Sequence, residues 1–209
     1  PTLHCSSAAS DVYKRQGLYP MFAVNRRRER REELIHRLAA DHGRDMEEWV
    51  DFTEFESHDV FLEGTGSLIL DRPGGVVYAS IGPRTDAQAA EQFADTFDME
   101  LEAFTAYQTS GDRQAPIYHT NVMLAIGTDW AVVCDEIVTD DVERRALLDR
   151  LAGSGKAVVR ITAEQVNGFA GNRLEVLNRK GERLIAMSSA AHASFTEAQR
   201  ATLASCARL

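Results

Sequence analysis

The sequence predicts an α/β fold built from a repeated unit of a β-hairpin, a helix and a further strand. Three observations support this prediction. Hairpin patterns begin near residues 67, 121 and 173, so the spacings are 54 and 52 residues. A helical pattern follows each hairpin, and a short apolar segment follows the first two helices. A nearly constant period of this length is typical of supersecondary units that stack or are arranged radially.

The first complete copy begins with a hairpin over residues 67–81, where apolar residues alternate on both sides of a Pro-Gly-Gly turn. Asp86 is suited to cap the helix that follows. Apolar residues recur at four-residue spacing from Ala89 to Phe97 and therefore share one helical face. A short apolar segment over residues 103–107 is expected to be the closing strand.

The second copy has a hairpin over residues 121–138 and a closing strand over residues 157–162. Its helix is expected to bury four residues, Val142, Leu147, Leu148 and Leu151. The third copy has a hairpin over residues 173–188. Ser194 and Glu197 then predict a capping box at the start of the last helix, because each side chain can satisfy a free backbone amide.

A half copy is expected before the first complete one, with a strand over residues 18–22, a helix over 26–42 and a strand over 49–55. The preceding residues, 1–16, have no periodicity and lack the apolar core of a signal peptide. They resemble a translated sequencing-adapter peptide, so we expect them to be non-native or disordered. Residues 17–209 are expected to form one partial domain, truncated at the C-terminus, because no closing strand follows the last helix.

Composition restricts the classes of function that the chain can have. Hydrophobic residues make up 44% and charged residues 26% of the sequence, as in globular proteins. The net charge of -9 argues against a general nucleic-acid interface. The sequence contains no apolar run of about 18 residues, so it predicts no membrane span. Three cysteines favour a reducing compartment over a disulfide scaffold. We expect a cytoplasmic protein with neither nucleic acid nor membrane as a partner.

A polar, turn-rich segment precedes each hairpin at the same phase of the repeat. The three segments contain Glu63, His119 and Asn172 respectively. In a radial arrangement equivalent positions converge, so a carboxylate, an imidazole and an amide are expected to meet. These groups suit proton transfer, with His119 as general acid and base and Glu63 orienting it. Taken singly, each residue more often has a structural role, and only the shared phase favours a site.

Four segments around these residues resemble one family: FLEGTGSLILDR, SIGPRTD, YHTNVMLAIG and FAGNRLEVLN. They are similar to the citrulline-utilization hydrolase branch of the guanidino-group-modifying, or pentein, superfamily. That superfamily includes arginine deiminases, dimethylargininases and amidinotransferases. The resemblance implies a five-bladed α/β propeller of ββαβ units, of which this chain would supply about three and a half.

The resemblance also implies a hydrolase that acts on a guanidino or ureido amino acid of the citrulline or arginine type. In such enzymes a cysteine thiolate forms a covalent thio-intermediate, without a metal or organic cofactor. Glu63 matches the family's carboxylate and His119 its catalytic histidine. Thr65, Asn121 and Asn172 are the candidate substrate-binding residues, although Asn121 stands where many relatives have Asp.

The resemblance leaves the nucleophile unassigned. The family's cysteine lies in a Gly-rich strand near the C-terminus, and no such segment occurs here. Cys134 in an apolar strand and Cys206 in the last helix are both expected to be structural. We therefore expect this chain to be inactive, with an amidinotransferase and a non-catalytic small-molecule-binding paralogue as alternatives. The arginine-rich run over residues 26–33 is expected to be a solvated helix face, or to direct one arginine toward a substrate carboxylate.

Overall fold

The computed structural model describes residues 11–12, 15–41, 48–110 and 113–209. Within these residues the strands are, in chain order, β1 (Asp11–Val12), β2 (Arg15–Leu18), β3 (Glu48–Asp51), β4 (Leu68–Asp71), β5 (Val76–Ser80), β6 (Glu100–Phe104), β7 (Tyr107–Ser110), β8 (Arg113–Pro116), β9 (Leu124–Ile126), β10 (Trp130–Val133), β11 (Ala157–Arg160), β12 (Leu174–Leu177) and β13 (Arg183–Ala186).

The helices of the same residues are α1 (Glu32–Asp41), α2 (Ala87–Thr96), α3 (Asp141–Gly153), α4 (Ala163–Asn167), α5 (Ser189–Ser194) and α6 (Glu197–Cys206). Short 3-10 segments cover Val24–Glu29, Thr53–His58, Thr120–Val122 and Asp135–Ile137.

The predicted ββαβ repeat is present. In the sheets β1-β2-β3, β4-β5-β6 and β9-β10-β11, an antiparallel hairpin is followed by a helix and by a third strand parallel to the second. The hairpin β12-β13 begins a further copy. Arg208 forms a single parallel bridge with Leu184, and no strand of several residues follows α6 in the described part of the chain. The expected truncation of this copy stays a prediction.

The half copy that precedes the first complete copy differs from its prediction. Its β2 ends at Leu18, two residues before Pro20, whose ring nitrogen has no proton for a ladder hydrogen bond. The predicted helix over residues 26–42 is divided into a 3-10 segment and α1, and the predicted strand over 49–55 ends at Asp51. Asp11–Val12 and Arg15–Gln16, from the segment excluded on sequence grounds, pair in this sheet. Residues 1–10 lie outside the described part of the chain.

In the helices of the next two copies, the apolar pattern predicted most of the buried residues correctly. Asp86 caps α2 by accepting hydrogen bonds from two backbone amides, and Ala89, Phe93 and Phe97 are buried as predicted. In α3, Leu147 and Leu151 are fully buried and Leu148 is partly buried, but Val142 is 78% exposed. The reason is helical geometry: five residues correspond to about 500°, so Val142 lies about 140° around the helix from Leu147.

Two features near residues 105 and 196 were also mispredicted. A hairpin, β7-β8, separates the first and second copies and was not expected. The predicted capping box of Ser194 and Glu197 is wrong, because Ser194 ends α5 and the box is formed two residues later by Thr196 and Gln199. The same Ser/Thr-x-x-Glu/Gln pattern fits both registers.

The arrangement of the first strands of each hairpin positions the candidate site. Strand β9 contacts both β4 and β12. The segments that lead into these strands therefore end close to one another. They contain Glu63, His119 and Asn172, respectively.

Candidate active site

Glu63 and His119 form the centre of the candidate site. Nε2 of His119 lies 2.6 Å from Oε2 of Glu63, although 56 residues separate them in the chain. Glu63 is 2% exposed, and the side chain of His119 is 13% exposed. The expectation that these two groups meet is confirmed by this distance. The contact brings a proton donor and acceptor pair to the point where two copies of the repeat join.

Among the described residues, four polar groups contact the carboxylate of Glu63. Besides His119, Oε2 lies 2.8 Å from a terminal nitrogen of Arg26 and 3.5 Å from one of Arg84. Oε1 accepts a hydrogen bond of 3.0 Å from the backbone amide of Phe22. Burial alone would raise the pKa of Glu63, but the hydrogen bond and charge of His119, together with the charges of Arg26 and Arg84, lower it below 4.5. Glu63 is therefore a carboxylate at neutral pH.

Because Glu63 is ionised, it determines which ring nitrogen of His119 carries a proton. A carboxylate can only accept hydrogen bonds, so Nε2 of His119 is the donor in this contact. Nδ1 is then the ring nitrogen that can exchange a proton with another molecule.

The backbone around Glu63 is shaped by two glycines with different roles. Gly64 has φ of +52°, in the left-handed region that glycine adopts readily. Gly66 is not in that region, but a Cβ on it would lie 3.0 Å from Cγ, Cδ2 and Cε1 of His119. The imidazole therefore rests on the bare backbone of Gly66. Any larger residue at this position would displace the ring.

The three predicted substrate-binding residues lie along the same segments. The backbone amide of Asn121 donates a hydrogen bond to the backbone carbonyl of Gly66. This bond joins the segment that contains His119 to the segment that contains Glu63. Thr65 is partly buried between the two glycines. Asn172 is exposed, and Gly171 beside it packs against the carbonyl of Val122. The structure thus brings the segments together, and a binding role for these side chains stays a prediction.

Sequence reasoning missed the part that arginines play at this site. Arg26 was expected on a solvated helix face or directed toward a substrate carboxylate, yet it contacts the buried carboxylate of Glu63 with 26% of its side chain exposed. Arg84 was not singled out, although it belongs to the SIGPRTD segment. Its guanidinium lies 5.7 Å from the ring centroids of both Phe22 and Tyr118. Phe22 and Tyr118 are 46% and 47% exposed.

The described cysteines do not supply a nucleophile at this site. Cys134 is fully buried in the larger apolar cluster, and burial raises the pKa of its thiol to about 12, which disfavours the thiolate. Sγ of Cys206 lies 3.6 Å from the carbonyl of Asp129, in the turn at the opposite end of β9 from His119. The expectation that both are structural agrees with these positions. Cys5 lies outside the described residues.

The described residues contain no group of three or more His, Cys, Asp or Glu side chains that could hold a metal ion. None of the helices in this part of the chain combines the length and hydropathy needed to cross a lipid bilayer.

Comparison with solved structures shows what the fold resembles. The substrate-bound N-terminal domain of ArgZ, an arginine dihydrolase from the ornithine-ammonia cycle in cyanobacteria, is 16% identical with a TM-score of 0.68. The match covers 98% of this chain but 65% of that domain, so the chain spans about two thirds of its length. The ternary complex of AgrE with ornithine and NAD+ is 17% identical with a TM-score of 0.67, covering 98% of this chain and 26% of that one.

Sequence comparison gives the family. A search of curated proteins finds no match. A family model described as N,N dimethylarginine dimethylhydrolase, eukaryotic, matches residues 9–209. The predicted resemblance to the guanidino-group-modifying superfamily is confirmed, and so is its α/β fold. Because the match extends over nearly the whole sequence, this chain belongs to the N,N-dimethylarginine dimethylhydrolase family of the pentein superfamily.

Proposed function

We propose that the chain provides the acid-base and substrate-anchoring part of a hydrolase for a guanidino or ureido amino acid of the arginine or citrulline type. The observation that carries the proposal is the 2.6 Å contact between His119 and the buried carboxylate of Glu63. A buried, ionised carboxylate behind an imidazole suits a histidine that must gain and lose a proton within one reaction cycle.

The proposed reaction has two steps. A cysteine thiolate attacks the guanidino or ureido carbon, and protonated His119 donates its Nδ1 proton to the departing amine or ammonia. Neutral His119 then accepts a proton from water as the oxygen attacks the carbon and the C–S bond breaks, which regenerates the thiolate. Glu63 holds the ring by Nε2 throughout. An amine in place of water would make the same site an amidinotransferase.

Arg84 is suited to bind the carboxylate of the substrate. Its side chain is 30% exposed, and a terminal nitrogen lies 3.5 Å from Oε2 of Glu63, the oxygen that contacts His119. Its guanidinium also lies 5.7 Å from the ring centroids of Phe22 and Tyr118. Guanidinium and carboxylate form strong, paired hydrogen bonds in a fixed relative orientation. An amino acid whose carboxylate binds Arg84 would place its guanidino or ureido group in the site at a defined distance from that arginine.

The chain as it stands is proposed to bind its substrate without turning it over. This follows from the positions of Cys134 and Cys206, because one is buried with a raised pKa and the other lies at the far end of β9. Such a chain would behave as the non-catalytic binding paralogue that the sequence left open. A thiol contributed from outside the described residues would restore the hydrolase.

The test measures binding and turnover separately. The purified chain is titrated calorimetrically with arginine, citrulline and N,N-dimethylarginine, and ammonia and amine release are assayed under the same conditions. We expect binding of at least one compound, weakened by Arg84→Met but not by Arg145→Met on the exposed face of α3, and no release above the buffer blank. Absence of binding for all three compounds would overturn the proposed substrate class. Turnover that survives His119→Ala would overturn the site.

A further inference from the structure

We propose that Thr120 is a positioning residue that holds His119 against Glu63. The inference rests on the proposed function of that pair and adds the residue that fixes its geometry. Thr120 directly follows His119, is fully buried, and begins the short 3-10 segment between that histidine and β9.

The hydroxyl of Thr120 joins two elements of the neighbouring copy. Oγ1 donates to the carbonyl of Ser67, at 2.5 Å, and accepts a hydrogen bond from the amide of Ser80, at 2.8 Å. Ser67 directly precedes β4, and Ser80 ends β5. One hydroxyl therefore ties the His119 segment to both strands of the hairpin that follows Glu63.

Ser67 continues the connection to the carboxylate. Its Oγ accepts a hydrogen bond from the amide of Glu63, at 2.9 Å, and donates to the carbonyl of Arg84, at 2.7 Å. The path from imidazole to carboxylate thus passes through two buried hydroxyl groups. Arg84 is held by the same serine, so the anchoring cation shares this support.

The chemistry of the side chain at position 120 decides whether this connection exists. Valine has the shape of threonine but neither donates nor accepts a hydrogen bond, and it would leave the Ser67 carbonyl and the Ser80 amide unsatisfied. Ser67 and Ser80 are 0% and 1% exposed, so water cannot readily replace the lost partner. The segment would then shift to relieve the two groups. A shift at residue 120 moves His119, its direct neighbour, away from Oε2 of Glu63.

A purely structural clamp would stabilise the protein without affecting the His119–Glu63 contact, and the experiment separates these roles. The chain is labelled with 15N-histidine, and the downfield Nε2–H resonance of His119 is assigned by its loss in His119→Gln. Thr120→Val, Thr120→Ser and the control Thr162→Val are compared. Thr162 caps α4 and lies outside the site, so its replacement destabilises the fold without touching this network.

The expected result is loss or upfield movement of the resonance in Thr120→Val, with retention in Thr120→Ser and Thr162→Val. If Thr120→Val does not fold, Thr120→Ala makes the same test with less steric strain. A folded Thr120→Val or Thr120→Ala protein with the resonance unchanged would overturn the proposal, as would loss of the resonance in Thr162→Val. Because the readout is a hydrogen bond and not turnover, it is independent of the assay that tests the proposed function.

Discussion

At the scale of single residues, the candidate site depends on keeping one buried carboxylate charged. Glu63 is removed from water, which disfavours its anion, and the neighbouring imidazole and two guanidinium groups reverse that effect. The arrangement links the ionisation of Glu63 to the stability of the fold. It also leaves the imidazole with one nitrogen committed to the carboxylate and one available for chemistry.

Replacing Glu63 tests this charge through pH. The pKa of Glu63 is lowered on folding, so its ionised form adds stability above the ordinary value of 4.5 and loses that effect as pH falls through the lower, folded value. The stability difference between the wild type and Glu63→Gln is therefore expected to be large near pH 7 and to shrink below pH 4.5. Urea unfolding at several pH values measures it. Glu91→Gln, on the exposed surface of α2, should show no comparable trend; a constant difference for Glu63→Gln would contradict the prediction.

Gly66 gives a second test at the same scale. A methyl group at this position meets three atoms of the imidazole at 3.0 Å, so Gly66→Ala is expected to displace His119 and to cost about 1–3 kcal/mol of stability. A crystal structure and urea unfolding report both effects. Gly153→Ala is the control, because a Cβ there meets nothing within 4 Å. An unchanged Nε2–Oε2 distance in Gly66→Ala would show that the ring does not need the bare backbone.

The two central residues could be predicted from the sequence, and the arginines could not, for a physical reason. Glu63 and His119 occupy equivalent phases of a repeat, and a repeat brings equivalent positions together. Arg26 lies in a run of mixed charge that is also typical of a solvated helix. Arg84 lies in a turn with no periodicity. Their approach to Glu63 depends on tertiary contacts, which no local pattern encodes.

At the scale of elements, long periodic segments were predicted well and short ones were not. The hairpins β4-β5, β9-β10 and β12-β13 follow the alternation of apolar residues, and α2 follows its four-residue spacing. The helices α4 and α5 have five and six residues, too few for a periodic pattern to appear. Their boundaries depend on single capping residues, so a sequence with two possible caps leaves the register open.

The two possible capping residues of α6, Ser194 and Thr196, predict opposite results for alanine substitutions. In the structure, Oγ1 of Thr196 accepts from the amide of Gln199 at 3.2 Å, and the side chain of Gln199 accepts from the amide of Thr196 at 2.9 Å. Thr196→Ala is therefore expected to cost about 1 kcal/mol of unfolding free energy, and Ser194→Ala clearly less. Urea unfolding of both variants decides between them. A larger loss for Ser194→Ala would restore the register predicted from sequence.

At the scale of the whole molecule, the copies are joined at both ends of their strands. At one end lie the site and its hydroxyl groups. At the other end, Lys156 of the second copy forms a 3.2 Å ion pair with Asp71 of the first and also donates to the carbonyl of Thr128. The side chains of this pair are 6% and 2% exposed. A further contact joins the second and third copies there, because Glu175 accepts from the indole of Trp130 at 2.8 Å.

The buried ion pair between Asp71 and Lys156 allows the coupling of two copies to be measured. Lys156→Met leaves the Asp71 carboxylate buried without a cation, which is expected to cost about 3–5 kcal/mol. Adding Asp71→Asn should recover part of that loss, because the amide oxygen can still accept from the backbone of Gly74. Urea unfolding of both single variants and the double variant completes a double-mutant cycle.

The matched control is the exposed pair between Arg150 and Glu100, which joins α3 of the second copy to β6 of the first at 2.7 Å. Solvent screens this pair, so Arg150→Met is expected to cost about 1 kcal/mol or less. If the copies unfold as one unit, Lys156→Met lowers the midpoint of a single transition. A split into two transitions would instead show that each copy folds independently and that the buried pair only tethers them. Equal costs for Lys156→Met and Arg150→Met would show that burial does not strengthen the contact between the two copies.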